Sequence, residues 1–221
     1  FAGTTELRAA TAAQGSSRRA DLSGFEFAAE VPPGGAPVTE VYVDFSSAAK
    51  VNWRYNAGSG RYDRWQDKDS SGELIAHFDA LNNQPIGAAN VVVLFVNHVN
   101  NFVPEDFLDG GNCGLEIQLW TSGPALVFRD GQMWEGHWVR DATTNWHMQI
   151  RNNQAGQIIP FKPGNTWFEV VTLNAGHALG GATYTITNKV PDTKYSCPIP
   201  PTETPTVTPE GYIAPTETPT P

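Results

Sequence analysis

The sequence predicts a mainly β fold: a compact antiparallel β-sandwich or barrel-like domain, with one short N-terminal helix and a disordered C-terminal tail. Several short segments alternate apolar and polar residues, which is the pattern of half-buried strands. Turn signals recur about every 8 to 12 residues, the spacing typical of sandwiches and barrels. The 221 residues also include 21 Gly, 17 Pro and seven Trp, a composition that argues against a helical bundle.

The best helix candidate is Thr4–Ala13. A Thr cap, Glu6 in the first turn and a run of Ala favour it, and Gly15 follows as a stop. A second and weaker helix candidate is Ser71–Leu81.

A β-hairpin is predicted next, because the alternating segments Val51–Tyr55 and Arg61–Gln66 flank a turn sequence, Asn56–Gly60. Asn90–Val96 is apolar on both faces, which predicts a central strand. Further along, Asp130-Gly131 is a strong turn signal.

Strands on both sides of that turn and in six other places complete the predicted fold. These strands are Ala125–Phe128, Gln132–Arg140, Val41–Phe45, Leu115–Leu119, Trp146–Ile150, Gln157–Phe161, Trp167–Leu173 and Thr183–Thr187.

Charge and hydropathy exclude two classes of partner. The chain has 14 Lys and Arg and 23 Asp and Glu, which gives a net charge of −9. This charge argues against nucleic acid as a binding partner, because binding to its phosphates requires concentrated positive charge. The longest apolar run, Val91–Val96, is far shorter than the roughly 20 residues of a spanning helix. No cofactor motif is present, and we expect no cofactor.

Both ends of the chain suggest an exported piece of a longer protein. It begins at Phe1 without an export signal or lipobox cysteine, so we expect any such signal to lie outside it. The motif PTETPT occurs at Pro201–Thr206 and again at Pro215–Thr220. Such a Thr/Pro-rich segment should be extended and solvated, either as a surface stalk or as a tail without a role.

The two cysteines, Cys113 and Cys197, leave two interpretations open. They could pair with each other, which suits an exported protein, or remain as two thiols. They are too few for a disulfide scaffold.

Four polar residues are candidates for catalysis. His77 and Asp79 lie in a polar loop, and Asp130 and His137 lie near the Asp-Gly turn. Were the two regions to converge, they could form an acid/base pair or a metal site. The favoured alternative is structural, with Asp130 serving its turn and His77 and Asp79 fixing a loop. We therefore predict no metal site.

The hairpin carries an unusual set of aromatic and cationic residues. They are Trp53, Tyr55, Tyr62 and Trp65, with Arg54, Arg61 and Arg64 interleaved. One interpretation is a hydrophobic core face. The other is a surface platform, formed by Trp53, Tyr55, Arg61, Tyr62, Arg64 and Trp65, that stacks on a sugar or a peptide. The platform requires Trp53 or Trp65 to be exposed beside Arg61 or Arg64.

An ordered set of seven motifs resembles the C-terminal domain of the DUF3048 family, bacterial lipoproteins of the YerB type. The resemblance spans about Phe25 to Leu173. The motifs are Val51–Asp67 (VNWRYNAGSGRYDRWQD), His77–Asp79 (HFD), Ala89–Val93 (ANVVV), Ser122–Ala125 (SGPA), Phe128–Gly131 (FRDG), Gly136–Trp138 (GHW) and Lys162–Trp167 (KPGNTW).

The resemblance implies a compartment and an architecture, but no catalytic residues. It implies a lipid-anchored, extracytoplasmic or cell-surface protein, whose membrane contact is a lipid anchor outside this chain. We expect residues 1–24 to be the remnant of an upstream domain or a connecting helix, 25–175 the β domain, 176–200 an extension and 201–221 the tail.

The favoured function is non-catalytic binding or scaffolding of a cell-envelope protein or wall polymer. The first alternative is an envelope hydrolase using His77, Asp79, Asp130 and His137. The second is a structural spacer that presents an upstream domain.

Overall fold

The computed structural model describes residues 3–16, 21, 23–68, 71–106, 111–153, 156–191 and 197. These residues fall into two compact units, one within Phe1–Val99 and Glu116–Pro191 and the other within Asn100–Leu115 and Asp192–Pro221. The tail predicted over 201–221 lies outside the described residues. No helix in the described part of the chain is long and apolar enough to cross a membrane.

Strands dominate the described chain, which confirms the predicted mainly β class. They are β1 (Ala36–Pro37), β2 (Glu40–Asp44), β3 (Lys50–Asn56), β4 (Arg61–Lys68), β5 (Leu74–Ala76), β6 (Gly87–Ala88), β7 (Asn90–Val96), β8 (His98–Asp106), β9 (Asn112–Ile117), β10 (Thr121–Arg129), β11 (Gln132–Arg140), β12 (Gln149–Arg151), β13 (Thr166–Thr172), β14 (Gly176–Gly180) and β15 (Thr183–Thr187).

The predicted N-terminal helix is confirmed as α1 (Thr4–Ala13), and Gly15 with φ +67° follows its end. Its N-cap is Gly3 and makes no side-chain hydrogen bond, so the predicted Thr cap is wrong. The helix predicted over Ser71–Leu81 is also wrong. Its centre forms β5, which pairs with the edge of β4 and obtains its backbone hydrogen bonds there.

Two mixed sheets make up the larger unit. The first has the order β1-β11-β10-β7-β13 with β12 beside β11, and the second has the order β14-β15-β2-β3-β4-β5 with β6 beside β4. Most pairs are antiparallel, but β13 runs parallel to β7 and β15 parallel to β2. These two pairs differ from the antiparallel arrangement predicted. Their strands return after long connections, which parallel pairing allows. Because β14 and β15 complete the second sheet, this unit extends beyond the boundary predicted at residue 175.

The first sheet is buried on both faces. Val91 and Val93 of β7 pack between the sheets in one apolar cluster, whereas Val92 and Leu94 belong to a second cluster on the opposite face. That second cluster includes Phe161 from a segment that covers the sheet. Burial on both sides explains why β7 lacks the alternation of an ordinary antiparallel strand.

Two of the predicted strands are shorter than expected. Trp146–Ile150 is a strand only in β12, because Asn145 and Trp146 have φ values of +51° and +63° after a short 3-10 turn. Gln157–Phe161 makes only isolated bridges, through Ile158 and Phe161.

The smaller unit contains most of β8 and β9, which pair with each other. Cys113 and Cys197 form a disulfide within it, with 5.3 Å between their Cα atoms. Of the two interpretations open from the sequence, the structure contains the paired form.

Candidate functional site

The hairpin of β3 and β4 carries all six residues proposed as a binding platform. Its register places Trp53 opposite Arg64 and Trp65 opposite Asn52. Paired residues share a face of an antiparallel sheet, and successive residues alternate between faces. The hairpin therefore divides the proposed platform between an inner and an outer face.

The inner face of the hairpin belongs to the core. Trp53 and Tyr62 have no accessible surface, and the half-buried Tyr55 packs on Tyr62 with 5.2 Å between ring centroids. Tyr62 donates its hydroxyl hydrogen to the Val38 carbonyl at 2.9 Å, and burial raises the pKa of Tyr62. The structure corrects the platform at Trp53 and Tyr62, because a ligand cannot stack on a ring that solvent does not reach.

The cation beside Trp65 is neither Arg61 nor Arg64, the two that were expected. Arg64 lies on the inner side, with its guanidinium carbon 4.8 Å from the Trp167 ring centroid. Arg61 donates to a backbone carbonyl of β6. The guanidinium that stacks on Trp65 is that of Arg54, at 4.0 Å from the ring centroid.

The outer face of the second sheet holds a cavity of about 230 Å³ next to this stacked pair. Its lining includes Tyr42, Lys50, Asn52, Arg54, Glu73 and Leu74. Strand pairing places Tyr42 opposite Asn52 and Asn52 opposite Trp65, so these three side chains share the outer face. We call Tyr42, Lys50, Asn52, Arg54 and Trp65 the hairpin face.

Asn52 is the unusual member of the hairpin face. Only 7% of the residue is exposed, and its Oδ1 is buried without a hydrogen-bond partner among the described residues. Leaving such an acceptor unpaired costs about 1–3 kcal/mol. Because buried polar groups are paired in most folded proteins, this exception points to a role other than stability.

The charges around the cavity are compensated. Arg54 Nε lies 3.4 Å from Glu40 Oε1, and Lys50 pairs with Asp44. The hydrogen bond to Asp44 raises the pKa of Lys50. Each of the two cations of the hairpin face is therefore paired with a carboxylate beside it, and the face also carries two aromatic rings and an amide.

The four candidate catalytic residues do not form one cluster. Asp79 accepts hydrogen bonds from the backbone of its own turn, and His77 contacts Arg64 at 2.8 Å. His137 lies five residues along β11 from the Asp130 turn, roughly 17 Å away at the rise of a strand. That separation exceeds direct or one-water contact, so Asp130 and His137 cannot act together. No group of three metal-ligating side chains occurs in the described ranges.

Residues from three of the motifs that resemble the family have a structural role instead. We call Asn90, Arg129, Asp130 and Lys162 the clamp. The buried guanidinium of Arg129 donates to Asp130 Oδ2 at 2.8 Å, and Lys162 Nζ donates to Asp130 Oδ1 at 2.7 Å. Burial acts to raise the pKa of Asp130, but the hydrogen bonds from Lys162 and Arg129 outweigh it and lower this pKa. Asn90 holds the same segment through the backbone N–H and carbonyl of Lys162. Arg129 also donates to the carbonyls of Ala28, Ala29, Glu30 and Pro160.

Glu169, a buried carboxyl between the sheets, was not among the residues predicted from the sequence. Its Oε1 accepts a 2.8 Å hydrogen bond from Trp53 Nε1, and burial raises its pKa against the opposing effects of Trp53, Arg64 and Trp167. Its signal in the sequence was one acidic residue inside an apolar strand, TWFEVVT.

Comparison with known proteins gives one family and one solved structure. Residues 41–168 match the family model described as the C-terminal domain of a protein of unknown function, DUF3048. The crystal structure of YerB from Bacillus subtilis is similar in fold, with a TM-score of 0.51 and 20% identity. The match covers 76% of this chain and 50% of the YerB chain, so this chain spans about half the length of that protein. The comparison with curated proteins produced no match.

Proposed function

Because the chain belongs to the DUF3048 family, whose C-terminal domain it contains, we propose that it is a non-catalytic binding domain of the cell envelope. In this proposal the hairpin face binds a hydroxyl-rich wall polymer, either neutral or anionic. The observation that carries it is the buried Oδ1 of Asn52, which has no hydrogen-bond partner in the described part of the chain and lies beneath a cavity beside the Arg54–Trp65 stack.

The chemistry of the hairpin face supports a polyhydroxylated ligand. Asn52 has an acceptor to offer, while the Tyr42 hydroxyl and the Arg54 guanidinium can donate. The aromatic rings provide flat apolar surface, and the paired charges leave little net attraction for a highly charged ligand. A sugar, which combines hydroxyl groups with an apolar ring face, satisfies all of these groups together.

An extracytoplasmic location is part of the proposal. The Cys113–Cys197 disulfide supports it, because structural disulfides persist mainly outside the reducing cytosol. Attachment to the membrane would be through a lipid anchor outside this sequence.

The test is co-sedimentation of the chain with purified bacterial cell walls, combined with thermal unfolding. Asn52→Ala removes the unpaired acceptor, so we expect wall binding to fall about tenfold while the melting temperature stays the same or rises. Trp65→Ala should also weaken binding. Arg61→Met, a change in the same hairpin but outside the cavity, is the matched control and should sediment as the unchanged chain does.

Two results would contradict this function. One is that the Asn52→Ala and Trp65→Ala chains sediment with cell walls as much as the unchanged chain does. That result would show that the hairpin face takes no part in binding. The other is the absence of any wall binding, which would favour the spacer alternative.

A further inference from the structure

We infer that a second pocket, on the first sheet, binds a neutral saccharide. The pocket has a volume of about 400 Å³, and no charged side chain is present among the described residues that line it. Phe95, Asn97, Gln118, Trp120, Trp138 and Leu173 belong to its lining, and we call it the Trp120 pocket. It shares no residue with the hairpin face, and the inference does not depend on the proposed function.

An exposed indole forms one side of the Trp120 pocket. Trp120 is 44% exposed and Leu173 is 52% exposed, although both are large and apolar. The buried end is fixed, because Trp138 Nε1 donates to the Phe95 carbonyl at 2.9 Å. A flat aromatic surface with a rigid floor suits the C–H face of a sugar ring.

Two amides provide the polar side of the pocket. Asn97 Nδ2 donates to Gln118 Oε1 at 2.8 Å, and Gln118 Nε2 donates to Glu116 Oε1 at 3.1 Å. This orientation leaves Asn97 Oδ1 available to accept a hydrogen bond, as far as the described chain shows. An acceptor without charge recognises a hydroxyl or acetamide N–H, so the ligand class is a neutral saccharide rather than an anionic one.

The backbone at the pocket is held in an unfavourable conformation. Thr121, a β-branched residue, has φ +78°, a region that such residues rarely adopt. The Arg140 guanidinium donates to the carbonyls of Leu119 and Trp146 at 3.1 Å each, and thereby holds the loop that presents Trp120. Strain of this kind concentrates at binding sites, where it positions a side chain for its ligand.

The experiment is a two-dimensional NMR titration of the chain with chitotetraose, a neutral tetramer of N-acetylglucosamine. Tetragalacturonate serves as the anionic comparison, and the spectrum of Trp120→Ala assigns the Trp120 indole signal. We expect a saturable shift of this signal with chitotetraose and none with tetragalacturonate. Asn97→Ala should weaken the affinity between about two- and tenfold. Leu179→Ala, at an exposed apolar residue on β14, is the matched control and should leave it unchanged.

Three results would overturn the assignment: no Trp120 shift with chitotetraose, an equal shift with tetragalacturonate, or an unchanged affinity in Asn97→Ala. The indole signal is specific to this pocket, so these results are distinguishable from a failure of the hairpin face. The same titration in an Asn52→Ala/Trp65→Ala chain should give the same Trp120 shift.

Discussion

Trp53 on β3 donates its indole hydrogen to Glu169 on β13, at 2.8 Å across the interface between the two sheets. Trp53 has no accessible surface, and Glu169 is 6% exposed. The bond satisfies an indole N–H that would otherwise be buried unpaired. It also places a carboxyl in the core, where burial disfavours its charged form. Arg64 and Trp167 lie beside this pair, so the aromatic and cationic residues of the inner hairpin surround a buried acid.

Replacing Glu169 with Gln should change how stability depends on pH. The ordinary pKa of the carboxyl is 4.5, and burial raises its folded value. The folded state therefore binds the proton more tightly than the unfolded chain, so this group's contribution to stability is largest at acid pH. It falls as the pH rises from about 4.5 through the folded pKa.

The Gln side chain can still accept from Trp53 without becoming charged. We therefore expect Glu169→Gln to melt above the unchanged chain at pH 8, by about 2–4 °C for each kcal/mol recovered. The difference should shrink toward pH 4. Thermal unfolding followed by circular dichroism between pH 4 and 8 measures both quantities. Equal melting temperatures of the two proteins at pH 8 would refute the raised pKa.

The disulfide should contribute strongly to stability. Cys113 and Cys197 are separated by 84 positions, and the entropy of closing a loop of this size corresponds to at most about 4–5 kcal/mol. We expect the Cys113→Ser/Cys197→Ser chain to unfold at lower urea concentration. Reductant should lower the stability of the unchanged chain and leave that of the double variant as it is. A midpoint that does not respond to reductant in the unchanged chain would show that the bond contributes nothing.

Local patterns were sufficient to predict α1, β7, β11 and β15, whose bounds agree with the structure. In each of these elements the local pattern agrees with the tertiary environment. Alternation also predicted the β3–β4 hairpin. The parallel pairs were not predictable in this way, because pairing between distant strands depends on the whole topology.

The binding surfaces were harder to predict for a similar reason. Alternation shows that Trp53 and Arg54 face opposite ways, but it shows neither the register that separates Trp53 from Trp65 nor which face a second sheet covers. Asn52 appears in the sequence as an ordinary polar residue of a strand. Only the packed structure shows that its acceptor is buried and that none of the described residues pairs with it. Glu169 was likewise one residue whose importance depends on a partner 116 positions away.

Removal of the Arg129 guanidinium should release the segment that covers the first sheet. Arg129→Met removes the donors of four backbone carbonyls and one partner of Asp130, so we expect a loss of about 3–5 kcal/mol. Urea unfolding measures the total. Hydrogen exchange at the Phe161 amide, which donates to the Glu26 carbonyl, reports the local release.

The matched control for the clamp is Arg8→Met on the exposed helix α1, which should change stability by no more than about 0.5 kcal/mol. Exchange at Phe161 as slow in Arg129→Met as in the unchanged chain would show that the covering segment does not depend on the clamp.

Substitution by alanine at two glycines with similar φ angles should lower the stability of the protein by different amounts. Gly131 has φ +71° and Gly181 φ +64°, so a side chain is strained at both. Among the described residues, a Cβ at Gly181 would meet no atom within 4 Å, whereas one at Gly131 would lie 2.9 Å from Tyr55 Cδ1. We expect Gly181→Ala to cost about 1 kcal/mol, from backbone strain alone. Gly131→Ala should cost about 1–3 kcal/mol more, because Tyr55 must move.

A double-mutant cycle with Tyr55→Leu separates the two contributions to the cost at Gly131. The smaller side chain makes room for the new Cβ, so Gly131→Ala should cost less in the Tyr55→Leu background than in the unchanged chain. The cost of Gly181→Ala should be the same in both backgrounds, since Tyr55 is not within 4 Å of a Cβ at that position. Additive free energies of unfolding for Gly131→Ala and Tyr55→Leu would show that the contact with Tyr55 does not matter, and that the requirement for glycine at this turn is conformational only.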